Sequence, residues 1–149
     1  MSASNTFEAA VLNLLLNNTN IANLGDATGV RGSATAGSAF VALHTADPGE
    51  AGDQTTSEAT YTGYARVAVS RSGSAWTISG TAPTTAANAA AVNFASCTAG
   101  SNTITHFSVG FATSGASTII VSGALTSSLA VSAGITPSFA IGALTATCD

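Results

Sequence analysis

Thr103-Ile104-Thr105-His106-Phe107-Ser108-Val109-Gly110-Phe111 puts Thr105, Phe107, Val109 and Phe111 on one side of an extended chain, the two-residue period of a strand with one buried face. The period recurs on both sides of this stretch. Val67 and Val69 share a face, as do Trp76 with Ile78 and Val92 with Phe94. Strand character is predicted over 39–45, 65–70, 75–79, 91–96, 103–111, 117–125, 129–132 and 138–144. A series of short strands separated by Gly, Pro and Ser turns implies a mainly β fold, an antiparallel β-sandwich or jelly-roll-like arrangement. Ser72-Gly73, between Arg71 and Ser74, has the chemistry of a tight hairpin connection, which would pair 65–70 antiparallel with 75–79. The tract 82–91 is low in complexity and reads equally as a short helix or an extended arm.

One amphipathic helix precedes the strands, over residues 5–17. Phe7, Ala10, Val11, Leu14 and Leu15 form its apolar stripe. Asn5 is the expected cap, with Glu8 three residues on as in a capping box and suited to the positive end of the helix dipole. Asn17-Asn18-Thr19-Asn20 supplies a polar stop. Residues 25–37 are rich in Gly, Ala, Ser and Thr with no period, and read as a long loop or arm. The expected organisation is therefore a helix and connection over 1–24, a loop or arm over 25–38, and a β-sandwich over 39–149, all in one domain.

Composition narrows the function. Of 149 residues 46% are hydrophobic and only 7% charged, against roughly 25% charged in an ordinary globular protein. Arg31, Arg66 and Arg71 are the only basic residues, there is no lysine, and the formal net charge is −4. Phosphate neutralisation needs several cations on one face, so no nucleic-acid partner is expected. Apolar runs such as Leu14-Leu15-Leu16 fall far short of the roughly 20 residues that span a bilayer, so no membrane partner is expected either. The N-terminus lacks the basic and apolar regions of a secretory signal, which implies use without Sec export. A surface of Ser, Thr, Asn, Gly and Ala gives little repulsion between copies, as in an assembly component; an Ala- and Thr-rich host proteome would leave the same bias.

Chemistry is sparse. His44 and His106 are candidate bases among many serines, but no G-x-S-x-G elbow occurs, and no enzyme is expected. H-E-x-x-H, C-x-x-C and EF-hand patterns are missing. The loop of His44, Asp47, Glu50, Asp53 and Glu58 could hold calcium by the oxygens of its acids, but without the glycine an EF loop demands it reads as a solvated acidic loop. No metal and no cofactor are expected. In Leu43-His44-Thr45-Ala46-Asp47-Pro48, His44, Asp47 and Pro48 read as a structural turn: Asp47 before Pro48 is pushed towards extended backbone, and its carboxylate can accept bonds from His44 or nearby amides. Residues 47–61 are the best long exposed loop. Cys97 and Cys148 are read as two separate buried thiols in preference to a bridge. Trp76, Tyr61 and Tyr64 are core or interface anchors.

Three segments in order, Asn5-Thr6-Phe7-Glu8 with the Leu-rich helix after it, Val41-Ala42-Leu43-His44-Thr45-Ala46-Asp47-Pro48, and Tyr64-Ala65-Arg66-Val67-Ala68-Val69, resemble a family of small tailed-bacteriophage virion proteins of the tail-fibre-like or head-decoration kind. Thr105-His106-Phe107-Ser108-Val109-Gly110 and Ser122-Gly123-Ala124-Leu125-Thr126 are similar to its "THF" and "GALT" strands, and residues 139–144 to its closing strand. The resemblance implies a structural virion protein with a β-sandwich. Its first implied role is capsid decoration: a cement protein, a homotrimer, bound to the major capsid protein on the capsid surface after assembly in the bacterial host cytoplasm. The alternative is a tail or tail-fibre protein that contacts other tail proteins or the host surface. Phe7, Val11, Leu14, Leu15, Arg31 and Trp76 are the expected partner-binding residues.

Overall fold

The structure, a computed structural model, describes residues 3–21, 32, 34–81 and 83–148. One helix and nine strands occur among them: α1 Asn5–Asn17, β1 Ser38–His44, β2 Val67–Ser70, β3 Trp76–Ser79, β4 Thr84–Asn88, β5 Val92–Asn93, β6 Asn102–Gly110, β7 Ile119–Val131, β8 Ser138–Phe139 and β9 Thr145–Cys148. The fold is mainly β with one N-terminal helix and antiparallel sheets, consistent with a β-sandwich. Its residues fall into two compact units, one of 1–38, 70–91 and 140–149, the other of 39–69 and 92–139. Residues 70–91 and 140–149 group with the helix.

In the first unit α1 packs on the sheet β3-β4-β9. Ser4, extended at φ −81° and ψ 146°, is the N-cap in place of Asn5, which is already helical; its side chain accepts from the Phe7 amide. Glu8 lies one residue too far along for a capping box, and it is buried. At the other end Asn18 takes the left-handed conformation, φ 57°, and its following amide bonds back to the Asn13 carbonyl. Arg71 donates from Nε to the Leu15 carbonyl at 2.6 Å and from Nη2 to Leu14 at 2.7 Å, so a cation sits where the helix dipole is negative. The residues turned inward are Glu8, Leu12 and Leu16. The predicted stripe of Phe7, Val11, Leu14 and Leu15 is left exposed or half-buried.

The undecided tract 82–91 supplies the central strand of this sheet, with Trp76 opposite Asn88 and Thr85 opposite Thr147. Asn88, 1% exposed, donates to the carbonyls of Ala90 and Ala140 and accepts from the Leu144 amide, which satisfies both ends of its amide. These bonds bend residues 140–144 into a turn, so the strand expected over 138–144 is only β8 and the chain re-enters a sheet as β9.

The second unit carries the sheet β2-β1-β6-β7 and the two-stranded ribbon β5-β8. Leu43 faces Phe107 and Val41 faces Val109 across β1 and β6. Rings couple the ribbon to the sheet: Phe107 meets Phe139 at 5.8 Å, Phe139 meets Phe94 at 6.2 Å, and Phe94 stacks on Tyr64 at 6.2 Å. The predicted strands 117–125 and 129–132 are one strand, β7, with irregular pairing: Ile120 is an extra residue opposite the Val109–Gly110 step, and 125–128 stand opposite Thr105 alone. The predicted hairpin of 65–70 with 75–79 does not form. β2 pairs with β1 and β3 with β4, because the Arg71 amide bonds to the Gly37 carbonyl and the turn at Ser72 hands the chain to another sheet.

Leu16 is 1% exposed and Ile141 is 70% exposed. Leu16→Ala is expected to cost about 2–5 kcal/mol and Ile141→Ala less than about 0.5 kcal/mol, read by urea denaturation followed through Trp76 fluorescence.

Candidate functional site

The densest polar chemistry lies inside the second unit, around Arg66. Its Nε donates to Glu58 Oε1 at 2.6 Å and its Nη2 to Glu58 Oε2 at 2.8 Å, a bidentate pair. Nη1 donates to Gln54 Oε1 at 3.2 Å and to the Ala112 carbonyl at 3.0 Å, and Nη2 also reaches the Gly115 carbonyl at 2.8 Å. All the guanidinium N–H groups therefore have acceptors. The side chain is only 1% exposed. The hydrogen-bonded Glu58 carboxylate raises the Arg66 pKa above its ordinary value.

Two further side chains extend this cluster to the sheet. Tyr64 donates its hydroxyl to Glu58 Oε1 at 2.9 Å and accepts from the Leu43 amide at 3.1 Å; burial pushes its pKa far up. Gln54, fully buried, donates to the Phe40 carbonyl at 2.9 Å and to Ser108 Oγ at 3.4 Å. Gly110 is required beside it, since a Cβ there would collide with the Gln54 amide.

Ser108 leads to His44. Nε2 of His44 lies 2.8 Å from Ser108 Oγ and Nδ1 lies 2.8 Å from the Thr56 carbonyl. A carbonyl only accepts, so Nδ1 carries the proton and Nε2 accepts from the serine hydroxyl. Burial pushes the His44 pKa below its ordinary value of 6.5. This is the geometry of a serine and an oriented base, yet both side chains are fully buried, and a nucleophile must reach its substrate.

Of the expected structural turn, Asp47 accepts from the Gly49 amide at 2.9 Å and Pro48 is buried, while His44 belongs to the network and does not meet Asp47. The loop 47–61 is not a free loop: Gln54, Ala59 and Tyr61 are buried, and the amides of Thr45 and Ala59 bond across to Ser57 and Leu43. Its acids do not converge, Glu58 being held by Arg66 and Asp53 by Thr55, whose hydroxyl and amide lower the Asp53 pKa. No group of three His, Cys, Asp or Glu placed to hold a metal ion occurs among the described residues. His106 meets Thr105 Oγ1 at 2.9 Å, and Cys97 is a buried free thiol.

Two recesses flank the network. One of about 260 Å³ opens beside Glu58, Tyr64 and Gly115, but the donors of Arg66 are spent internally and none is left for a ligand there. An open groove of about 600 Å³ runs between Glu50 and Asp53 on one lip and Ser117 to Ser122 on the other. Among the expected partner-binding residues, Phe7 is 45% exposed, and Val11, Leu14 and Leu15 are half-buried. Trp76 is corrected: at 2% exposure it is a core residue of the helix-and-sheet unit and presents no surface to a partner. Arg31 and the Cys148 side chain, on which the remaining expectations fall, lie outside the described residues.

Gln54 went unsingled in the sequence, Glu58 entered only as an acid of the 47–61 loop, Ser108 only within a family-like segment, and Arg66 only as a cation and within such a segment. The available signal was scarcity, since a chain with three cations that places one next to a strand is spending it on a partner.

Arg66→Ala is expected to cost about 3–5 kcal/mol by stranding Glu58, and Arg66→Lys about 1–3 kcal/mol, because an ammonium cannot reach all the acceptors; both are read by denaturant titration. The lowered His44 pKa gives a second outcome. The unfolded chain takes up a proton near pH 6.5 and the native chain does not, so this stability is complete above about pH 6.5 and is lost as pH falls below it. The melting temperature should drop between pH 7.5 and 5.5, and His44→Gln should flatten that slope.

The family model described as podophage GP4 fiber I protein gp80 matches residues 2–147. No curated protein matches the chain. His44, Tyr64, Arg66 and Ser108, which hold the network together, lie within the segments that resembled phage virion proteins in the sequence. The chain belongs to the podophage GP4 fiber I protein gp80 family of phage virion structural proteins.

Proposed function

We propose that this protein is a structural component of the phage tail fibre and works by binding alone, to copies of itself and to neighbouring tail proteins. The observation that carries the proposal is the match of residues 2–147 to a podophage fiber protein. It favours the fibre over head decoration, the role put first by the sequence. The chemistry inside the molecule is in keeping with this reading. Ser108 and His44 are sealed from solvent, which supports a protein that is not an enzyme. Arg66 and Arg71 are engaged with carboxylate and carbonyl groups, which leaves little cationic surface for nucleic acid. No described helix is long and apolar enough to cross a membrane.

The test is the position of the protein on intact particles. Gold-labelled antibody raised against it should mark the fibres in negatively stained virions. Label distributed over the head lattice would restore capsid decoration. Purified protein should also associate with itself at micromolar concentration, as a component whose copies meet in the particle would.

A further inference from the structure

Ser108 has the parts of an acyl transfer beside it in the closed interior of the second unit. His44 Nε2 accepts from its hydroxyl at 2.8 Å, and the imidazole is held in place by its Nδ1–H on the Thr56 carbonyl, also at 2.8 Å. The same Oγ lies 3.4 Å from Nε2 of Gln54, the nitrogen of a carboxamide. That amide is oriented from both sides. Arg66 Nη1 only donates and lies 3.2 Å from Oε1, while the Phe40 carbonyl only accepts and lies 2.9 Å from Nε2. Gln54, Ser108 and His44 are each 0% exposed. A sealed nucleophile cannot reach a substrate outside, but here an electrophilic carbon is enclosed with it.

We propose that Ser108 and Gln54 join in an intramolecular ester, made once per chain by the chain itself. Ser108 Oγ attacks Cδ of Gln54 while its proton passes to His44 Nε2. The carbonyl electron pair moves onto Oε1, where the Arg66 guanidinium faces the developing negative charge. The oxyanion then collapses, the Cδ–Nε2 bond breaks, and His44 returns the proton to the departing nitrogen. A carboxamide and a hydroxyl thus become an ester and ammonia, with His44 neutral again and no oxidant, reductant or further reactant consumed. Enclosure of both groups in one packed cluster supplies the proximity that a weak nucleophile needs. Exclusion of water protects the ester once it has formed. Burial also keeps the imidazole in its neutral, proton-accepting form, since it lowers the His44 pKa. The bond ties the 47–61 segment covalently to β6. It is internal to the chain and needs no partner, so it holds at any position on the particle.

Intact-mass spectrometry of the full chain, incubated folded at neutral pH and then denatured, tests it. The mass should lie about 17 Da below that of the sequence, the ammonia released. Arg31, Arg66 and Arg71 are the only tryptic sites, so Gln54 and Ser108 fall in separate peptides, 32–66 and 72–149, which should remain joined until mild base cleaves them apart. Ser108→Ala should keep its full mass. His44→Gln, which retains a hydrogen-bonding side chain but no base, should form the link at least about 100-fold more slowly. A wild type at full mass overturns the ester whether or not the variants fold. Loss of ammonia without joined peptides marks a cyclised asparagine and overturns it too, as does a gain of about 1 Da from simple hydrolysis of the Gln54 amide. Unchanged formation in a folded His44→Gln overturns His44 as the base.

Discussion

The second unit depends on one guanidinium. Arg66 grips both oxygens of Glu58, the amide oxygen of Gln54, and the carbonyls of Ala112 and Gly115. Those acceptors come from the 47–61 segment and from the link between β6 and β7, neither of which has a ladder of its own to hold it. An ion pair taken out of water seldom adds much net stability, but removing half of it is expensive. Its value here is positional. Through Gln54 and Ser108 the same cluster reaches His44 on β1, so two irregular segments are registered against a regular sheet by directed bonds.

Elements fixed by local pattern were legible in the sequence. The helix ends where its polar stop begins, β6 lies where alternation placed it, and β1 lies where strand character was predicted. What escaped was decided by partners distant in the chain. β4 has an Ala- and Thr-rich sequence that suits a strand only because β3 and β9 lie on either side of it. The turn after β8 is held by Asn88, about fifty residues earlier along the chain by hydrogen-bond separation. The helix period was legible, but that Glu8, Leu12 and Leu16 would face the sheet was not, since periodicity says that a stripe exists and not which side the sheet will take.

The polar network was illegible for a related reason. Glu58 in an acid-containing loop looks solvated until Arg66 is known to be beside it, and a single cation in a strand-flanking segment looks like surface. His44, Tyr64 and Arg66 lay in family-like segments that gave them no role, and in the structure they belong to one hydrogen-bonded cluster that builds the fold. Arg66, Glu58 and Arg71 serve as internal fasteners.

The irregular pairing of β7 has a protective side. It is the outermost strand of its sheet and contains neither charge nor proline, a composition that invites templated, amyloid-like stacking at an open edge. The extra residue at Ile120 and the stretch 125–128 cut it into short runs that change direction. No run is as long as the six or seven residues a steric zipper needs. A virion structural protein can thus carry an uncharged strand at a sheet edge without offering it as a template.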